Sequence, residues 1–141
     1  MIILDTSGLL AALDASEAHH ERAAMVLRSA TPPRLLSPFV LAELDYLLAT
    51  RVSSTAERAL LAEVGRGAYQ LEPFDRDDIN AAIAVLERYP TLDIGLADAS
   101  LVVLAVRHHT ADVLTLDERH FRTLRGPGDQ PFRLLPADIA A

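Results

Sequence analysis

Four acidic residues stand at positions where a carboxylate could take part in metal-dependent chemistry. Asp5 and Asp117 each follow a short apolar run that is typical of a buried strand. Glu43 and Asp98 each lie at helical spacing from apolar residues, so we expect them on the apolar faces of two helices. A carboxylate in such a position is costly unless it is paired or bound to a cation.

Neither helical acid has an evident partner on its own helix. Glu43 lies three residues after Val40 and four before Leu47, and Asp98 lies three residues before Leu101. No arginine occupies a position three or four residues from either acid. If such acids converge, they repel each other, and a hard divalent cation such as Mg²⁺ or Mn²⁺ relieves that repulsion. Such a cation also polarises a phosphoryl oxygen and activates water, so metal-dependent phosphodiester hydrolysis is the expected reaction class.

Short apolar runs alternate with helical patterns along the chain. This alternation predicts a three-layer α/β/α sandwich with a central parallel sheet. The predicted strands are residues 1–4, 34–37, 69–71, 112–116 and 132–135. The predicted helices are a first one capped by Thr6 or Ser7, then 18–30, 38–51, 56–65, one capped by Asp75 and running to Arg88, 97–108 and 118–124. Ligand sites in parallel sheets lie beyond the carboxyl ends of the strands, where Asp5 and Asp117 are expected.

Composition excludes several classes of protein. The 141 residues argue for a single domain spanning 1–141, and the absence of cysteine removes disulfides and thiolate chemistry. All 13 basic residues are arginine, so the absence of lysine also excludes lysine-dependent phosphate sites and Schiff-base enzymes. The net charge of −7 argues against a broad basic face that holds nucleic acid. Because no signal peptide or membrane span is evident, we expect a cytoplasmic protein with no membrane partner.

Four short motifs in order resemble the PIN domain, and more narrowly the VapC toxins of bacterial toxin–antitoxin pairs. They are ILDTS at 3–7, AEL at 42–44, LADA at 96–99 and TLD at 115–117, with Phe121 following. The resemblance covers essentially the whole chain, and the segments 37–46 and 94–100 are especially similar to VapC proteins.

The resemblance implies a PIN-like fold and a Mg²⁺-dependent endoribonuclease, with Mn²⁺ as a possible alternative. Such an enzyme cuts structured RNA, such as tRNA or rRNA, and so blocks translation. It also implies a homodimer and a VapB-type antitoxin that covers the site. The implied catalytic and metal-binding acids are Asp5, Glu43, Asp98 and Asp117, with Asp5 and Asp98 as direct ligands. The residues implied around them are the hydroxyl side chains Thr6, Ser7 and Thr115. Asp93 is a near neighbour of the Asp98 motif and could be an added ligand or a further acid beside the site.

Several alternatives remain at this stage. The chain could be a Mg²⁺-dependent phosphatase with Asp5 as nucleophile, although Ser7 stands where a second acid is usual, or a non-catalytic PIN-like binding module. Asp5, Asp98 and Asp117 could each serve only at a helix start, and Asp93 could have only a loop role. We expect all five histidines on the solvated surface. The arginines after Asp117 could bind RNA phosphates or form a solvated face.

Overall fold

A five-stranded parallel sheet forms the centre of the protein, as described by a computed structural model covering residues 1–139. Its strand order is β3-β2-β1-β4-β5, and every neighbouring pair is parallel. The strands are β1 (Ile2–Leu4), β2 (Arg34–Leu36), β3 (Gln70–Leu71), β4 (Asp112–Leu114) and β5 (Arg133–Leu135). The central strand β1 is wholly apolar and buried, as a parallel strand covered on both faces requires.

Helices cover the sheet and complete the predicted three-layer α/β/α architecture. Within residues 1–139 they are α1 (Thr6–Leu13), α2 (His20–Ser29), α3 (Pro38–Arg51), α4 (Ser54–Gly65), α5 (Arg76–Arg88), α6 (Leu96–His108) and α7 (Glu118–Phe121). A 3₁₀ turn, Pro127–Asp129, precedes β5. None of the helices in this part of the chain is both long and apolar enough to cross a membrane.

Two helices begin where their capping residues predict. The Ser37 hydroxyl accepts the Phe39 N–H at 3.2 Å and Pro38 occupies the first helical position, which fixes the start of α3. Asp75 and Asp78 form a reciprocal capping box at the start of α5. These local signals explain why both boundaries could be predicted.

The predicted strand 112–116 is too long by two residues. β4 ends at Leu114, and beyond it the Leu116 N–H donates to the Ser7 hydroxyl at 3.0 Å instead of to a neighbouring strand. The chain therefore leaves the sheet at Thr115 and turns toward the start of α1.

Gly8 permits a close approach of α1 to β4. A Cβ at this position would lie 2.4 Å from the carbonyl oxygen of Leu114, well inside any tolerated contact. Because glycine has no Cβ, the first turn of α1 packs directly against the end of β4. This contact places Ser7 beside Thr115, from which it is separated by 108 residues of sequence.

Candidate active site

A cavity of about 520 Å³ opens at the carboxyl ends of β1 and β4. It is lined by residues from those strand ends, from α1 and the segment that follows it, and from α3 and α6. Five carboxylates belong to its lining: Asp5, Glu17, Glu43, Asp98 and Asp117. The structure therefore brings the four acids singled out from the sequence to one cavity, together with Glu17, for which the sequence carries no signal.

Asp5 is the most deeply buried of these acids, with only 6% of its surface exposed. Although it precedes α1, its side chain caps no backbone N–H of that helix. Its Oδ2 atom instead accepts hydrogen bonds from the Thr115 hydroxyl at 2.6 Å and from the Ser7 hydroxyl at 2.9 Å. These are two of the three hydroxyl positions that the sequence analysis placed around the acids.

The two hydroxyls are themselves oriented by the backbone beyond β4. Thr115 Oγ1 accepts the Asp117 N–H at 2.9 Å, and Ser7 Oγ accepts the Leu116 N–H at 3.0 Å. Because each hydroxyl oxygen accepts a hydrogen bond from a backbone N–H, its own O–H is free to donate to Asp5. The network fixes the orientation of the Asp5 carboxylate and leaves Oδ1 available as an acceptor for a ligand.

Burial raises the pKa of Asp5 to about 6, chiefly because it disfavours the charged form. The hydrogen bonds from Thr115 and Ser7 act in the opposite direction, and the negative charge of Asp98 raises the pKa further. Burial also raises the pKa of Asp98, which lies in the first turn of α6, and the charges of Asp117 and Glu43 add to this effect. The acids that line the cavity therefore interact electrostatically with one another.

The expectation that Glu43 is buried among apolar residues is wrong. The buried face of α3 is formed by Val40, Leu44 and Leu48, one helical turn apart, whereas Glu43 is exposed. One residue corresponds to about 100° around a helix, so Glu43 lies beside the buried stripe rather than on it. It lines the cavity from the rim and accepts a hydrogen bond from the Thr6 hydroxyl at 2.8 Å.

Asp117 lines the cavity and also caps α7. Its Oδ1 atom accepts the backbone N–H of His120 at 3.0 Å, and its Oδ2 atom lies 2.7 Å from Nδ1 of the same histidine. The prediction that His120 is solvated is therefore wrong. Its Nε2 atom is buried and has no hydrogen-bond partner in the part of the chain that the structure describes. The sequence carries a signal for this contact, because His120 lies three residues after Asp117. The side chain of a residue three positions beyond a helix cap can contact the capping residue.

Two further histidines are held by neighbours, which also corrects the surface prediction. His20 contacts the Ala11 carbonyl oxygen at 2.8 Å through Nδ1. His108 contacts the buried carboxylate of Glu72, which also accepts from Arg107 at 3.3 Å. His19 and His109 are exposed, as expected.

Asp93 lies outside the set of residues that line the cavity. It is exposed and adopts a positive φ of 57° in the loop before α6. Aspartate and asparagine tolerate this left-handed conformation better than most residues. This placement favours the loop role that the sequence had left open for Asp93.

The chemistry of the donor set fits a hard divalent cation. The cavity offers carboxylate and hydroxyl oxygens, which are the ligands that Mg²⁺ and Mn²⁺ prefer. Within residues 1–139, no three His, Cys, Asp or Glu side chains are drawn together closely enough to hold a metal ion as they stand. Like charges that face one cavity repel each other, and a bound cation would relieve this repulsion.

Comparisons with known proteins agree with this geometry. The family model of the PIN domain matches residues 2–126. The chain is 44% identical over 135 residues to Ribonuclease VapC26 of Mycobacterium tuberculosis, an alignment that covers 96% of this chain and all of that protein.

Among solved structures, the chain is similar to VapC20 of Mycobacterium tuberculosis, described as a Sarcin-Ricin loop cleaving toxin. The TM-score is 0.77 at 25% identity, over 83% of this chain and 90% of the other. It is also similar to FitAcB from Neisseria gonorrhoeae, with a TM-score of 0.64 at 25% identity, over 86% of this chain and 91% of the other.

Proposed function

Because the chain belongs to the PIN domain family, and within it to the VapC ribonucleases, we propose that it is the toxin of a toxin–antitoxin pair. Its activity is that of an endoribonuclease on structured RNA such as tRNA or rRNA, with inhibition of translation as the result. The name of the 44% identical relative and the description of the similar structure as a Sarcin-Ricin loop cleaving toxin support this function. The observation that carries it is the cavity at the strand ends, whose lining includes the deeply buried Asp5 and four other acids.

We propose that the cavity binds Mg²⁺, with Mn²⁺ as an alternative, through Asp5, Asp98, Glu43 and Asp117. Asp5 and Asp98 are the direct ligands in this proposal. Support comes from the pKa values of Asp5 and Asp98, which are raised because their charged forms are unfavourable without a compensating positive charge. When bound, the cation supplies charge neutralisation at the phosphate and a more acidic water.

The chain's own residues position the acids and keep them in place. Ser7 and Thr115 hold Oδ2 of Asp5, and Thr6 holds the Glu43 carboxylate at the rim. The reaction is hydrolysis by in-line attack, in which water forms the new bond to phosphorus and the ester oxygen leaves with a proton. No side chain forms a covalent intermediate, which distinguishes this proposal from a phosphatase that uses Asp5 as nucleophile.

The proposal includes a VapB-type antitoxin and a homodimer, both of which follow from membership of the VapC group. We place the activity in the cytoplasm because the proposed RNA substrates are those of translation. The whole chain of 141 residues is treated as one PIN-like domain.

The test is RNA cleavage by the purified protein with Mg²⁺, Mn²⁺ or EDTA. Asp98→Asn should lose cleavage while keeping its circular dichroism spectrum. Asp93→Asn is the matched control, because it makes the same chemical change on the same segment at an exposed residue outside the cavity. Cleavage in EDTA, or full activity of Asp98→Asn, would contradict the proposal. A phosphorylated Asp5 would support the phosphatase instead.

A further inference from the structure

One side of α3 extends the acid-lined cavity outward, away from the sheet. Glu43, Tyr46, Leu47 and Arg51 all line the cavity and recur at intervals that place them on one side of the helix. At about 1.5 Å per residue, Arg51 lies about 12 Å further along the helix axis than Glu43. This side of α3, defined by these four residues, is called the α3 ridge below.

Arg51 is the single cationic residue among the cavity-lining residues of the described chain, where five carboxylates are present. It is exposed and forms no ion pair with any carboxylate in residues 1–139. Arg107 and Arg122, in contrast, are each held by two acids. The guanidinium of Arg51 is therefore available to bind an anion that enters the cavity. A phosphate group fits the geometry of the guanidinium N–H donors.

Tyr46 presents an aromatic ring between Glu43 and Arg51. It is 66% exposed, the highest value among the large hydrophobic residues outside the core. Tyr46 and Arg51 line the same cavity. An exposed aromatic ring and a cation in one cavity can bind single-stranded nucleic acid, because a base stacks on the ring while the cation binds the backbone.

RNA is the occupant that the proposed ribonuclease function requires at this cavity, and Arg51 is the feature of the ridge that fits it. The protein carries a net charge of −7, so an anionic strand is repelled over much of the surface. A strand that approaches the acids needs a local cation, and Arg51 supplies one beside them. The arginines after α7 do not replace it, because none of them lines the cavity and Arg122 is bound to Glu118 and Asp138.

We propose that Tyr46 and Arg51 form a nucleotide subsite on the α3 ridge. Arg51 binds a backbone phosphate of the RNA, and Tyr46 stacks on an unpaired base beside the bond that is cut. The proposal rests on the ribonuclease function proposed above and adds to it that the substrate presents an unpaired nucleotide at this position.

Steady-state cleavage of a hairpin RNA with an unpaired loop tests the subsite. Tyr46→Leu removes the ring while keeping an apolar side chain, and we expect KM to rise about tenfold with kcat little changed, because stacking contributes to binding. Tyr46→Phe keeps the ring and should raise KM less than Tyr46→Leu does.

The phosphate contact has its own readout. Arg51→Gln should raise KM and reduce the slope of log affinity against log salt by about 0.7, the contribution of one phosphate contact on a single strand. Arg28→Gln is the matched control, because Arg28 is exposed but lies outside the acid-lined cavity, so KM and the salt slope should not change.

The outcomes separate this subsite from the proposed function. A wild-type protein that does not cleave RNA with either cation would refute the function itself. If the wild type cleaves and Tyr46→Leu and Arg51→Gln leave both KM and the salt slope unchanged, the subsite is refuted. Unchanged RNA cleavage with weakened inhibition by the antitoxin would assign the ridge to the protein partner and would equally overturn the proposal.

Discussion

Replacing Asp5 with asparagine should make the cation-free protein more stable at neutral pH while removing its activity. Asparagine has nearly the same shape and can still accept from Ser7 and Thr115 through its one carbonyl oxygen. It carries no charge, and the charge of Asp5 is unfavourable in the folded protein because the side chain is only 6% exposed.

The magnitude follows from the pKa of Asp5, which rises from an ordinary value of 3.8 to about 6 on folding. Each tenfold change in proton affinity corresponds to about 1.4 kcal/mol, so the ionised form destabilises the fold by about 3 kcal/mol. The folded state binds the proton of the Asp5 carboxyl more tightly than the unfolded state does. The stability that protonation of Asp5 contributes is therefore fully present below pH 3.8. It declines as the pH rises and is lost above about pH 6.

Urea unfolding in EDTA between pH 4 and pH 8 measures this effect. The free energy of unfolding of Asp5→Asn relative to wild type should increase by about 2.4 kcal/mol from pH 4 to pH 8, with most of the change between pH 4 and 6. Adding Mn²⁺ should stabilise the wild type by mass action and stabilise Asp5→Asn much less. A difference between the two proteins that does not vary with pH would refute the reasoning, as would a variant that becomes relatively less stable as the pH rises.

Substitutions at three other positions probe the contacts that position the site. Thr115→Val removes a donor to Asp5 and the acceptor of the Asp117 N–H, so urea unfolding should show that the free energy of unfolding falls by about 1–3 kcal/mol. Titration with Mn²⁺ should show about a 10–100-fold loss of affinity. Unchanged affinity would contradict the positioning role of Thr115. His120→Asn keeps a donor near the position of Nδ1, whereas His120→Gln does not. The rate of RNA cleavage should therefore fall further in His120→Gln than in His120→Asn. Equal rates would argue against the idea that the ring supports Asp117. Gly8→Ala places a Cβ against the backbone of β4. Urea unfolding should show that the free energy of unfolding falls by about 1–3 kcal/mol, although alanine has the better helix propensity. A variant as stable as the wild type would refute the close approach of α1 to β4.

The fold could be predicted from the sequence because its signals are local. Alternation of apolar runs and helical patterns specified the parallel sheet, and the pair Ser37-Pro38 fixed the start of α3. The boundary of β4 was missed because Thr115 is compatible with a strand. Its actual environment depends on Ser7 and Asp5, which are more than 100 residues away in sequence.

The burial of Glu43 was predicted wrongly. The sequence argument favoured Glu43 as a buried charge, yet Glu43 is exposed and Asp5 is buried. Spacing along a helix places a residue near an apolar stripe but does not show whether the edge of that stripe faces the core or a cavity. Asp5 is buried because β4 and the first turn of α1 close around the end of β1, and this closure depends on Gly8.

His120, Tyr46 and Arg51 were not identified as site residues because each has an ordinary surface explanation in sequence. A histidine three residues after an aspartate, or a tyrosine and an arginine on an amphipathic helix, is common on solvated faces. Tyr46 and Arg51 line the cavity only because the fold places α3 beside the strand ends, and His120 is connected to the cavity only through its contact with Asp117. The functional roles of the four acids and of Asp93 stay predictions.

Sequencing of RNA 5′ ends in cells that express the protein tests the ribonuclease assignment most directly. We expect expression of the wild type to produce new 5′ ends at discrete positions in tRNA or rRNA, and expression of Asp5→Asn at the same protein level to produce none of them. The absence of new ends with the wild type, or the same ends with Asp5→Asn, would contradict an RNA-cleaving site built on this carboxylate.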